Sequence, residues 1–132
     1  MIVLDASAAT DFLLERGAPG RWVAERLLEA ESVHAPHLID SEVVNALRQL
    51  MARGDATVAM GDAAVAALQD MPILRYPARP LLERIWQLRP GLTAFDATYV
   101  ALAEVLAAPL VTTDGRLARA GGHGAVVTAF PG

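Results

Sequence analysis

Short apolar runs alternate along the chain with longer stretches in which apolar residues recur every three or four positions. Met1–Leu4 is uninterrupted and predicts a buried strand. Ala6–Glu15 predicts a short helix that stops before Gly17. In Gly20–Ala30 the residues Trp22, Val23 and Leu27 share one helical face, with Leu28 at its margin. Ser32–Ala35 predicts a second strand. Leu38–Arg53 predicts a longer helix, with Ile39, Val43, Ala46, Leu47 and Leu50 at core spacing and Gly54 as its stop. Thr57–Gln69 reads as an Ala-rich helix, and Ile73–Tyr76, after Pro72, as a third strand. Arg79–Leu88 predicts a helix ended by Arg89-Pro90-Gly91. Thr93–Ala107 predicts another, which Pro109 keeps from continuing. Leu110–Thr112 is a fourth strand, Arg116–Ala120 a short helix and Ala125–Val127 a fifth strand.

The order β-α-α-β-α-α-β-α-α-β-α-β implies an α/β fold: a parallel five-stranded sheet flanked by helices. No repeat, low-complexity tract or interdomain linker interrupts it, so residues 1–132 read as one domain. In open parallel sheets, ligands bind beyond the carboxyl ends of the strands, where the strand order reverses. Asp5 ends the first strand and Asp114 closely follows the fourth. Glu42 lies in the first turns of a helix that follows a strand. Asp96 lies in the first turn of the helix leading into strand four. All four positions fall on the same edge.

Carboxylates gathered there repel. Two of them about 4 Å apart cost roughly 4 kcal/mol at an effective dielectric near 20. An unfilled cluster is expected to raise some of their pKa values, and hard oxygen donors suit Mg²⁺ or Mn²⁺. Such ions support phosphate chemistry. Each acid also has a plain structural reading. Asp5 and Asp114 suit helix N-caps, Thr93-Ala94-Phe95-Asp96 resembles a capping box, and Glu42 favours a helix dipole.

Composition narrows the chemistry. All eleven basic residues are Arg, which excludes a Walker A loop and Schiff-base catalysis. The absence of Cys excludes thiolate zinc sites and thiol nucleophiles and fits a reducing cytosol. The net charge of −4 argues against a generic basic nucleic-acid binder. No apolar run reaches the ~18 residues of a membrane span: Tyr99–Val111 is broken by Glu104 and Pro109. The N-terminus lacks a basic segment before its apolar run, so no signal peptide is expected and the expected location is cytoplasmic.

The stretch Leu92-Thr93-Ala94-Phe95-Asp96-Ala97-Thr98-Tyr99-Val100-Ala101-Leu102-Ala103-Glu104, followed by Pro109-Leu110-Val111-Thr112-Thr113-Asp114-Gly115-Arg116-Leu117, resembles PIN-domain proteins of the VapC toxin type. Met1-Ile2-Val3-Leu4-Asp5-Ala6-Ser7-Ala8 resembles the family's opening strand. Ala35-Pro36 through Glu42-Val43-Val44-Asn45-Ala46-Leu47 resembles its second acidic segment. The likeness runs the length of the chain in matching order. It implies a PIN-like three-layer α/β/α fold and a Mg²⁺- or Mn²⁺-dependent endoribonuclease, the toxin half of a toxin–antitoxin pair. It implies metal ligands at Asp5, Glu42, Asp96 and Asp114, a homodimer, and a small VapB-like antitoxin whose C-terminal segment occupies the active-site groove. Some members carry a further acid shortly after the fourth; Leu117 stands nearby here, which leaves one or two ions open.

Asp5 and Asp96 are expected as direct ligands, Asp114 directly or through water, and Glu42 as ligand or as the group orienting the attacking water. Ser7 and Thr113 are candidates to hold the carboxylates through their hydroxyls, with helix caps or strand-end bonds as the alternative. Asn45, one turn after Glu42, is a candidate for the pocket, and Arg116 for an RNA phosphate. Arg119 is expected on a solvated face, and Asp40 as a cap or solvated charge. Tyr99, Trp22 and Phe12 are expected in the core; the last two would otherwise line an antitoxin groove. His34, His37 and His123 lack metal spacing and read as surface or loop residues. A receiver domain needs a Lys, and a haloacid-dehalogenase-like phosphatase needs Asp-x-Asp where the chain has Asp5-Ala6-Ser7. Two rivals survive: a non-catalytic metal- or nucleic-acid-binding PIN-like domain, and cleavage of DNA rather than RNA.

Overall fold

The structure is a computed structural model and describes residues 1–132. Five strands, β1 (Ile2–Leu4), β2 (Val33–Pro36), β3 (Ile73–Tyr76), β4 (Leu110–Thr112) and β5 (Val127–Ala129), form one sheet. All its pairings are parallel, in the order β3-β2-β1-β4-β5. The helices are α1 (Ala6–Leu13), α2 (Gly17–Glu29), α3 (Leu38–Ala52), α4 (Val58–Asp70), α5 (Leu82–Gln87), α6 (Ala94–Leu106) and α7 (Gly115–Arg119), with a 3-10 turn at Arg79–Leu81. From β1 the chain steps through β2 to β3, then returns past β1 to β4 and β5. Right-handed crossovers therefore place α1–α4 on one face of the sheet and α5–α7 on the other.

This arrangement explains the burial pattern. Val3, Leu4, Leu110 and Val111 are fully enclosed because central strands are covered on both faces. Helix α6 crosses β1, β2 and β4 and carries α5 on its outer side. It is consequently buried at every position from Ala97 to Ala103. Helix α3 ends in a Schellman motif: Gly54, at φ +78°, donates to Met51 and Asp55 to Leu50.

Three expectations need correction. The fifth strand begins at Val127, two residues later than Ala125. The Gly124 amide is held by Glu104 and the Ala125 amide by the His123 ring, so neither is free to enter the ladder. Helix α2 begins at Gly17, before Gly20. The left-handed Gly17 (φ +55°) reverses the chain directly into it, and Pro19 sits in the first turn, where no amide is needed. His34 is buried in β2, not at the surface. Its ring bridges Ser32 (2.8 Å) and the Tyr76 hydroxyl (2.6 Å), which satisfies both nitrogens.

The α1–α2 corner depends on one glycine. A Cβ at Gly20 would stand 2.7 Å from the Asp11 carbonyl oxygen, a backbone atom with nowhere to go. Gly20→Ala is expected to destabilise the chain by about 1–3 kcal/mol, as for other overpacked contacts. Thermal melting checks this, and an unchanged midpoint would contradict it.

Candidate functional site

The strand order reverses at β1, whose neighbours are β2 on one side and β4 on the other. The crevice beyond the carboxyl ends of β1 and β4 is therefore the expected ligand position. Asp5 follows β1 directly and is buried. Its Oδ1 accepts from the Ser7 hydroxyl (2.8 Å) and the Ala8 amide (2.9 Å), capping α1, and its Oδ2 accepts from the Thr112 hydroxyl (2.5 Å). The register Leu4↔Val111 sets Thr112 opposite Asp5. The Thr112 oxygen also accepts from the Asp114 amide at 2.9 Å, so one hydroxyl ties the two strand-end acids together.

Asp114 caps α7 by accepting from the Arg116 amide at 2.9 Å. Asp96 sits one turn into α6, whose cap is Thr93 (Asp96 amide to Thr93 hydroxyl, 3.2 Å). The Arg116 guanidinium spans Asp114 (3.2 Å) and Asp96 (3.5 Å) while remaining 69% exposed. Glu42 projects from α3. Its Oε1 is buried without a hydrogen-bond partner of regular geometry, and so is the Tyr99 hydroxyl that lies against it.

Burial pushes the Asp5 carboxyl up to about 6, although Thr112, Ala8 and Ser7 pull it down; the Asp114 charge adds a smaller push. Burial likewise raises Glu42, opposed by Tyr99 and reinforced by the Asp96 charge. Burial raises Asp96, with Arg116 opposing and Asp114 reinforcing. Desolvation is thus the larger cause at all three, and mutual repulsion a smaller one. The electrostatic links still join the acids: Asp5 with Asp114, Asp114 with Asp96, Asp96 with Glu42.

The residues fit a hard divalent cation in donor chemistry: four carboxylates on one edge and one of their oxygens, Glu42 Oε1, buried without a donor. They do not form a closed cage. No three acidic or imidazole side chains stand close enough to hold an ion as they are, and Arg116 occupies the span between Asp96 and Asp114.

The supporting residues are placed unevenly. Ser7 bonds Asp5, one of its two expected roles. The Thr113 hydroxyl donates to Asp11 at 2.7 Å and to none of the four acids, and Thr112, the last residue of β4, bonds Asp5 instead. Asn45 is exposed on α3 and accepts from Arg48 at 3.3 and 3.4 Å. Asp40 is neither cap nor free charge: Arg75 grips it with two bonds of 2.7 and 2.8 Å. Trp22 packs partly buried against the core, edge-on to Phe130. Phe12 also packs there and lines a groove of about 500 Å³ with Leu13, Gly20, Arg21 and Ala67. Two functional groups escaped the sequence reading, Thr112 as the tie between acids and the Tyr99 hydroxyl beneath Glu42.

A larger groove, about 610 Å³, runs between α1 and α3. Ser7 and Glu42 stand at its acidic end, and Arg16 and Arg53 also line it.

A profile of the PIN domain matches residues 2–123. A VapC ribonuclease of Mycobacterium bovis is 44% identical over 131 residues, covering 99% of both chains. Ribonuclease VapC12 of Mycobacterium tuberculosis is 46% identical over 127 residues, 96% of this chain and 97% of its own. Among solved structures, PAE2754 of Pyrobaculum aerophilum superposes with a TM-score of 0.64 at 27% identity, covering 96% of this chain and 82% of that one. The fold is also that of VapC20 of Mycobacterium tuberculosis, described as a toxin cleaving the sarcin-ricin loop: TM-score 0.69 at 16% identity, over 89% of this chain and 93% of that one. With the acid-bearing edge of a parallel sheet and a match along nearly its whole length, the chain belongs to the PIN-domain family, and within it to the VapC type.

Proposed function

We propose that this protein is a Mg²⁺- or Mn²⁺-dependent endoribonuclease, the toxin of a toxin–antitoxin pair, which hydrolyses RNA phosphodiester bonds and arrests growth until a small VapB-like antitoxin binds it. The observation that carries this reading is the alignment, over 96–99% of the chain, with proteins named ribonucleases. The antitoxin draws support from a structural neighbour described as VapBC2 of Rickettsia felis bound to promoter DNA. Assembly as a homodimer belongs to the same proposal and is read from solution mass. No helix is long and apolar enough to cross a membrane; a cytoplasmic location is part of the proposal.

Asp5, Glu42, Asp96 and Asp114 would hold the ion. When bound, it supplies neutralisation of phosphate charge and acidification of water. Ser7, the Ala8 amide and Thr112 keep the Asp5 carboxylate in one orientation. Glu42, whose Oε1 has no hydrogen-bond partner of regular geometry, orients the attacking water and takes its proton. Arg116 leaves the two acids and pairs with an RNA phosphate.

Incubating the full chain with a pool of structured RNAs, with duplex DNA in parallel, tests the reading. RNA cleavage that requires Mg²⁺ or Mn²⁺, stops with chelator and is lost in Asp96→Asn is expected. Equal cleavage by both chains would overturn the site, and cleavage confined to DNA would overturn the substrate. The acid limb of the rate is expected to move to higher pH in Tyr99→Phe, because the hydroxyl holds the Glu42 pKa down. An unmoved profile would remove Glu42 from the groups that titrate in that limb.

A further inference from the structure

The groove between α1 and α3 extends well past the acids. Glu42, Asn45, Gln49 and Arg53 all line it, at spacings of three and four residues that make one stripe along α3. The eleven helical steps from Glu42 to Arg53 give the stripe a length of roughly 16 Å at 1.5 Å per residue. It begins at the acids, passes two amide side chains and ends at a cation. Arg53 is 65% exposed, paired only with Asp55 at 3.4 Å. Arg16, also exposed, lines the same groove.

Phe95 lines this groove too, with Ala6, Leu38, Ala46 and Leu50 as its other apolar walls. Its ring is 58% exposed and immediately precedes Asp96 in the first turn of α6. Its neighbours on the helix from Ala97 onward are buried, so the core has no use for it. An accessible aromatic face beside amide groups and cations is the chemistry that binds single-stranded nucleic acid: stacking for the base, amides for its edge, Arg for phosphate. Continuity with the acids favours RNA over a protein segment as the occupant.

We propose that this groove is the subsite for the nucleotides flanking the scissile phosphate on one side, with Phe95 stacking on the nearest base, Asn45 and Gln49 reading base edges, and Arg53 holding a phosphate. The inference rests on the nuclease reading above and specifies where that site chooses its sequence.

The test maps cut sites in a randomised single-stranded RNA pool treated with the full chain and Mn²⁺. Phe95→Ala is expected to cut roughly ten- to a hundredfold more slowly at low RNA concentration, and Phe95→Trp at close to the wild-type rate. Asn45→Ala and Gln49→Ala are expected to relax the base preference at fixed positions beside the cut. Unchanged rates and preferences in all the variants would overturn the subsite. If the wild type cuts no RNA at all, the nuclease reading fails, and the subsite is judged by binding alone. A short single-stranded RNA carrying 2-aminopurine should then be quenched by the wild type and not by Phe95→Ala; no quenching by the wild type would overturn it. A change of solution mass in Phe95→Ala would assign the ring to a contact between copies. Normal RNA handling with lost capture of a co-expressed small partner would assign the groove to a protein segment. Either result overturns the proposal.

Discussion

Asp5→Asn is expected to abolish RNA cleavage while making the ion-free protein more stable. Removing one of the four proposed ligands is expected to lower the rate by roughly a thousandfold, the loss of several kcal/mol. The gain in stability follows from burial. Holding the Asp5 carboxyl at about 6 instead of its ordinary 3.8 corresponds to about 3 kcal/mol against the ionised form. Because the folded pKa is the higher one, the native state binds more protons than the unfolded chain between those values, and stability falls as pH rises through them. Asn keeps an acceptor for Ser7 and Ala8 and supplies an N–H to Thr112, so the cap survives. The two chains should melt together near pH 4. The variant's lead should open between pH 4 and pH 6 and level off above, and Mg²⁺ should close the gap. Comparing the two cancels the contribution of Glu104, which has the opposite sign because Arg84 holds its pKa down. Equal melting at pH 8 without divalent ions would show that the buried carboxylate carries no such penalty.

Thr112→Val should damage the site without touching an acid. The substitution keeps the shape of a fully buried side chain but removes a donor to Asp5 and the acceptor of the Asp114 amide. A hydrogen bond to a charged group contributes about 1.5–3 kcal/mol, and the amide left without its partner adds to the cost. The Asp5 pKa is then expected to rise further, since Thr112 is the strongest of the groups pulling it down. Cleavage should fall at least about tenfold at pH 7, and the acid limb of the pH–rate profile should move upward. Thr113→Val, whose hydroxyl serves Asp11 instead, provides the contrast and should leave that limb in place. Identical profiles in both variants would contradict the assigned role of Thr112.

The positions of the four acids were legible because each stands beside an unambiguous boundary: the end of Met1–Leu4, Pro36 before α3, Thr93 before α6, and Leu110–Thr112. Strand order was not legible from periodicity, since alternation shows that a segment is a strand and not which strand lies beside it. For that reason proximity to Asp114 points to Thr113, whereas the role of Thr112 depends on the β1–β4 register and has no signal in the sequence. Tyr99 was read as core, and it is. Yet it lies three residues after Asp96, on the same helical face, which is a sequence signal that its hydroxyl end reaches the acids. His34 was misplaced because its partners, Ser32 and Tyr76, come from two different segments. Asp40 was misjudged similarly, its partner Arg75 lying on a strand that had no visible link to α3.

Asp5, Glu42, Asp96 and Asp114 are proposed to act together as one cation site although they are not a closed cage in this structure. Mn²⁺ titration followed by electron paramagnetic resonance tests this most directly, using the wild type and the variants Asp5→Asn, Glu42→Gln, Asp96→Asn and Asp114→Asn. Saturable binding by the wild type is expected, with at least about tenfold weaker binding in each variant, the loss of about 1.4 kcal/mol or more. Wild-type affinity retained in all four variants would contradict it.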